Sequence, residues 1–150
     1  MPPEILFMLE KARKYCDYQE RCLQEVKNKL KSWMAVPEVI DKVISQLEKE
    51  NYIDEDRYVR SFALGKLRNN KWGRTKILQA LRSKKIPELI IQIGLQEIDD
   101  EDYVRTLKAV LSSKKLNEKD PYKRKAKLAQ YAIQKGFQPP LVWQIINETE

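Results

Sequence analysis

The sequence predicts an all-α protein of three tandem three-helix repeats, stacked into an elongated, curved array. Three observations predict it. Leu, Ile, Lys, Glu, Gln and Ala are abundant and only 4 of 150 residues are glycine, a composition that favours helices. Ile53-Asp54-Glu55-Asp56-Arg57-Tyr58-Val59-Arg60-Ser61-Phe62 returns 45 positions later as Ile98-Asp99-Asp100-Glu101-Asp102-Tyr103-Val104-Arg105-Thr106-Leu107, identical at five positions. Val36-Pro37-Glu38-Val39-Ile40 returns 50 positions later as Ile86-Pro87-Glu88-Leu89-Ile90, and a looser third copy is Phe137-Gln138-Pro139-Pro140-Leu141-Val142. Periods of roughly 20–50 residues mark stacked units, each hiding its apolar face against a neighbour. The units read as 1–53, 54–98 and 99–150, and the changing offset reflects loops of different length.

The first unit fits helices near 4–15, 18–33 and 37–50, closed by Asn51, a residue that tolerates the left-handed position after a helix. In the second unit, Asp54 caps a helix with Glu55 and Asp56 in its first turn, where the helix dipole favours anions. Tyr58, Val59, Phe62, Ala63 and Leu67 form its apolar stripe. Asn69-Asn70-Lys71-Trp72-Gly73 breaks that helix, the next carries Ile77, Leu78 and Leu81, and Pro87 opens a third at its first turn with Leu89, Ile90 and Ile93 inward. The third unit repeats this. Asp99 or Asp100 caps, and Tyr103, Leu107, Val110 and Leu111 form the stripe. A longer loop from Leu116 to Lys119 ends in Asp120-Pro121. Leu128, Ala129, Ala132 and Ile133 line the second helix, which Gly136 ends in a left-handed conformation. Pro139-Pro140 starts the last helix, with Leu141, Val142, Ile145 and Ile146. Trp33 and Trp143 read as core, and Tyr58 and Tyr103 as unit-to-unit packing residues with exposed hydroxyl tips.

Composition narrows the function. The longest apolar runs, such as Ile5 to Leu9, are about five residues, far short of a bilayer span. Glu4 directly before that run is unlike a signal peptide, so the expected location is cytoplasmic. Histidine is absent, which removes Ser-His-Asp and Cys-His catalysis and imidazole zinc sites. Cys16 and Cys22 match no metal spacing, and six residues put them on different helix faces. The acidic runs Asp54-Glu55-Asp56 and Asp99 to Asp102 fit no calcium loop and read as helix caps. No cofactor, metal or catalytic residue is expected, and an enzyme is the least favoured class.

The net charge of +7 is uneven. The first unit balances nine basic against nine acidic residues, whereas Arg57 to Pro87 holds ten basic residues and no acidic one. Such a segment projects positive potential and suits nucleic acid or an acidic partner. Its candidate contacts are Arg57, Arg60, Lys66, Arg68, Lys71, Arg74, Lys76, Arg82, Lys84 and Lys85. Trp72 among them suits either stacking on a base or packing between units. Lys123, Arg124 and Lys125, with Lys127, open a helix as a second basic cluster.

At Tyr52-Ile53-Asp54-Glu55-Asp56-Arg57-Tyr58 with Phe62, then Trp72-Gly73-Arg74-Thr75-Lys76-Ile77 and Leu81-Arg82-Ser83-Lys84-Lys85-Ile86, the chain resembles the bacterial RecX family of regulators of the RecA recombinase. The tandem three-helix layout is shared along the whole chain. Two positions depart from the family pattern. Asn51 replaces a glycine before the aromatic, and Lys85 replaces one before Ile86, so that helix end closes differently or carries strain. The resemblance implies a non-enzymatic regulator with RecA filaments on single-stranded DNA as its partner, and a monomer is the simplest expectation. It would lie in the filament groove and restrain ATP hydrolysis, strand exchange or filament growth in recombination and DNA repair. Contact with single-stranded DNA would be weak or made through the filament, and no membrane is involved. The basic second unit, and secondarily the third, would face DNA or acidic filament surfaces. The alternatives are an independent nucleic-acid-binding module of helical repeats and a protein-binding scaffold with a basic face.

Overall fold

The structure, a computed structural model, describes residues 1–149, so Glu150 at the end of the expected third unit lies outside the described residues. Among these residues all regular structure is helical. The elements are α1 (Pro3–Tyr18), α2 (Leu23–Ser32), α3 (Pro37–Lys49), α4 (Glu55–Asn70), α5 (Arg74–Ser83), α6 (Glu88–Leu95), α7 (Asp100–Ser113), α8 (Pro121–Gln134) and α9 (Pro139–Glu148). They group as three three-helix units in tandem.

The caps follow from local chemistry. The carboxylates of Asp54, Asp99 and Asp120 accept the backbone N–H of Arg57, Asp102 and Tyr122, each at 3.1 Å, and so satisfy amides that the helix leaves unpaired. Met34, Lys85 and Gly136, at intervals of 51 residues, all take positive φ (66°, 60° and 103°) and end the second helix of each unit in the same way. The Lys85 turn therefore closes as the glycine turn does, and a side chain carries the strain of a left-handed residue, about 1–2 kcal/mol. Asn51 likewise takes φ 63° after α3.

Four expectations are corrected. Helix α2 begins at Leu23 rather than residue 18, because the Glu25 carboxylate accepts the Cys22 N–H at 3.0 Å and starts the helix there. Pro87 stands just before α6 and not in its first turn. The inward face of α6 is Ile91, Gly94 and Leu95, while Leu89 and Ile93 are exposed. Gly94 sets this rotation, since a Cβ there would strike the side chain of Val59 on α4. Trp143 is exposed because Val142, Ile145 and Ile146 turn inward on α9; Trp33 is half-buried.

The apolar residues form two cores. One lies inside the first unit and includes Leu9, Val26, Leu30, Val43, Leu47 and Ile53. The other runs through the second and third units, from Val59, Leu67 and Ile77 to Leu107, Phe137 and Ile146, and takes in Cys22 from the first. No helix among the described residues is long and apolar enough to cross a membrane.

Candidate nucleic-acid interface

The α4–α5 turn gathers the central cluster. Lys71 takes φ 58°, and the N–H of Trp72 donates back to the carbonyl of Lys66 at 3.1 Å. This folds the half-buried Trp72 ring over the last turns of α4. The Lys66 ammonium then lies 4.8 Å from the Trp72 ring centre, and Lys76, from the first turn of α5, lies 4.7 Å from it. Lys66 and Lys84 also lie 5.4 and 5.5 Å from the ring of Phe62, one turn before Lys66. Cation–π contacts of this kind hold ammonium groups near an apolar surface without neutralising them.

Helix α5 has no acidic residue in its first turn, and Arg74 and Lys76 stand at its positive end. A carboxylate there would stabilise the helix by about 0.3–1 kcal/mol. Two cations stand there instead, while the N–H groups of Gly73, Arg74 and Thr75 are already taken by Lys135, Tyr103 and Gly136 of the third unit. Helix α8 carries Lys123, Arg124 and Lys125 after Pro121 with no acid in its first turn, but unlike α5 it is capped by the Asp120 carboxylate. Lys123 is exposed, Arg124 is half-buried with Nη1 donating to the carbonyl of Leu116 at 3.4 Å, and Lys125 is half-buried.

Tertiary structure supplies several basic residues with acidic partners that lie outside the acid-free segment. Arg57 bridges to Glu20 and Asp54, and the first contact pushes its pKa up further. Lys84 lies 3.6 Å from Glu25, Arg74 3.0 Å from Asp100, and Arg82 binds Glu88 through two nitrogens. The Arg82 contact holds the Glu88 carboxyl down at about 2. Arg60, Arg68, Lys71 and Lys85 are exposed. The basic residues of the acid-free segment do not share one face. Arg60 and Lys66 are six residues apart on α4, about 120° around the helix. Lys66 and Lys84 line a groove with Glu20, Tyr58 and Phe62 against the first unit, whereas Arg68 lines one with Asp99, Asp102 and Arg105 against the third.

Sequence reading missed Phe62 as part of the cluster, although its spacing of four from Lys66 was available. It also missed that each unit pairs a ring with two cations. Lys11 and Lys29 lie 4.3 and 5.7 Å from Trp33, and Lys114 and Lys135 lie 4.7 and 5.8 Å from Tyr131. The tyrosines do pack between units, but their hydroxyls are not exposed tips. Tyr103 accepts the N–H of Arg74 at 2.9 Å and donates to the Gln138 side chain, and Tyr58 is buried beside a groove it lines with Glu25. Burial pushes both cysteine thiols up to about 11, and no group of His, Cys, Asp or Glu among the described residues could hold a metal ion.

Residues 9–47, 54–95 and 100–146 match, in order, the family models described as RecX first, second and third three-helix domains. The chain belongs to the RecX family. It is similar to the regulatory protein RecX of Prosthecochloris aestuarii, 29% identical over 140 residues, covering 93% of this chain and 91% of the relative. Its similarity to the regulatory protein RecX of Streptococcus uberis is 35% over 130 residues, covering 85% of this chain and 50% of that one. The RecX of Lactobacillus johnsonii matches at 34% over 96 residues, 64% of this chain and 35% of the relative. The chain thus spans nearly all of the first relative, half of the streptococcal one and about a third of the last. The crystal structure of RecX from Lactobacillus salivarius superposes with a TM-score of 0.82 at 23% identity over 96% of this chain and 95% of that chain. A second crystal structure, of regulatory protein RecX, gives 0.81 at 24% over 94% of this chain and 73% of that one. Both likenesses concern the RecX fold.

Proposed function

We propose that this protein is a non-enzymatic regulator that binds RecA filaments on single-stranded DNA, lies in their groove, and restrains ATP hydrolysis, strand exchange or filament growth. Family membership over all three units supports the recombinase as partner. The observation that carries the DNA-facing part is the Phe62–Lys66–Trp72–Lys76 cluster, a ring flanked by cations at the positive end of α5. Single-stranded nucleic acid suits such a site, since the ammonium groups held over the rings can meet its phosphates. The second basic cluster, Lys123 to Lys125 on α8, adds positive charge one unit further on without a ring among them. Arg60, Arg68, Lys71 and Lys85 contribute long-range attraction, and Arg57, Arg74 and Arg82 act chiefly through the carboxylates they already hold. By bridging neighbouring protomers, the array favours a filament state that turns over ATP poorly.

The test is the ATPase of a RecA–single-stranded DNA filament at substoichiometric to equimolar additions of the protein. Turnover falls with the wild type and recovers with Lys66→Glu/Lys76→Glu. Unchanged turnover with the wild type overturns the regulator reading. The same cluster also suits an independent nucleic-acid-binding module. That reading requires tight binding to naked DNA. If four to six side chains meet single-stranded phosphates, log affinity falls against log salt with a slope of roughly −3 to −4.

A further inference from the structure

The two junctions between units are built from different chemistry. Between the second and third units, Gly73 donates its N–H to the carbonyl of Lys135 at 2.8 Å and Thr75 to that of Gly136 at 3.0 Å. A neutral hydrogen-bonded triplet of Arg74 N–H, Tyr103 and Gln138 lies beside them, over the apolar core the two units share. The first unit has its own core. Among the described residues, no backbone–backbone hydrogen bond joins it to the second unit. What holds it is largely charged. Arg57 binds Glu20, Lys84 faces Glu25, the Glu55 carboxylate accepts the Leu23 N–H at 3.3 Å, and Glu25 lines a groove with Tyr58. The ion-paired side chains are roughly a quarter to two-fifths exposed, so salt reaches them: 38% and 30% for Arg57–Glu20, 26% each for Lys84–Glu25. The connection is short and passes through Asn51 in the left-handed region, a position that absorbs a change of direction.

We infer that the first unit moves as a separate body about residues 50–54, latched to a rigid second-and-third-unit body by the Arg57–Glu20 and Lys84–Glu25 ion pairs. This goes beyond the proposed filament role and does not depend on it. The latch opens as ionic strength rises, because partly exposed pairs are screened while the backbone zipper and shared core of the other junction are not.

Cys22 reports the opening. Its side chain is 0% exposed and belongs to the core of the second and third units, so parting the first junction uncovers it. In the full chain carrying Cys16→Ala, reaction of Cys22 with a disulfide reagent is followed at low and high salt. A control chain carries Cys16→Ala, Cys22→Ala and Val110→Cys, placing the thiol in the shared core at a position 3% exposed in the native chain. Between about 0.05 and about 0.5 M salt, Cys22 is expected to react about fivefold faster, while Val110→Cys is unchanged. Arg57→Ala is expected to accelerate Cys22 similarly at low salt. Glu20→Gln serves in its place if circular dichroism shows that Arg57→Ala fails to fold. Equal acceleration of both thiols would mean that the whole chain opens, and no acceleration of either would mean that the first junction is rigid. Each of these results overturns the inference.

Discussion

Gly73 stands so close to Gly136 that a Cβ on Gly73 would fall on the backbone of Gly136 and Phe137. The start of α5 therefore seats directly on the turn between α8 and α9, with one unit's helix end serving as the next unit's docking point. Gly73→Ala forces backbone apart and is expected to destabilise by about 1–3 kcal/mol in urea denaturation. Gly65→Ala is the control. It lies within α4 with nothing inside 4 Å, and alanine there is expected to stabilise by up to about 1 kcal/mol.

The left-handed turn at Lys85 can be relaxed. Lys85→Gly removes the strain of φ 60° and is expected to raise stability by about 1 kcal/mol, read as a higher melting temperature. Gly136→Ala imposes the same kind of strain at φ 103°, against Lys76, and is expected to lower it.

Tyr103→Phe keeps the ring against Phe137 but leaves the Arg74 N–H and the Gln138 carbonyl without their buried partner. The expected loss is about 1–2 kcal/mol in denaturant unfolding. A change within error would show that the hydroxyl contributes nothing to the junction.

Glu88 supplies the pH prediction. The hydrogen bonds from Arg82 and then Gln92 hold its carboxyl down at about 2. A carboxyl depressed on folding contributes stability above the ordinary carboxylate range and loses it as pH falls through that lower value. Arg82→Ala is expected to return the Glu88 titration, followed by NMR, toward the ordinary value. Because Arg82 is already paired, Arg82→Ala is also expected to change filament ATPase far less than Lys66→Glu/Lys76→Glu.

Local signals were legible where the chemistry was local. Asp54 and Asp99 cap the helices beside them, Gly136 closes α8, and the repeated segments place equivalent helix starts. What sequence could not show depends on long-range placement. The segment from Arg57 to Pro87 contains no acid, yet Glu20 and Glu25 arrive from the first unit, and Glu88 and Asp100 from downstream. Counting charges along the chain therefore overstated the free cations. The α6 stripe was misread because Leu89 and Ile93 look as apolar as Ile91 and Leu95, and only the approach of Gly94 to Val59 sets which pair faces inward. The cluster around Trp72 needed the left-handed turn at Lys71, for which lysine gives no sequence warning.

The most direct measurement is an image reconstruction of a RecA–single-stranded DNA filament decorated with the protein. The expected result places the protein in the filament groove with Phe62, Lys66, Trp72 and Lys76 of the middle unit turned toward the strand. Density that puts this face toward solvent, or the protein outside the groove, would contradict the proposed mode of regulation.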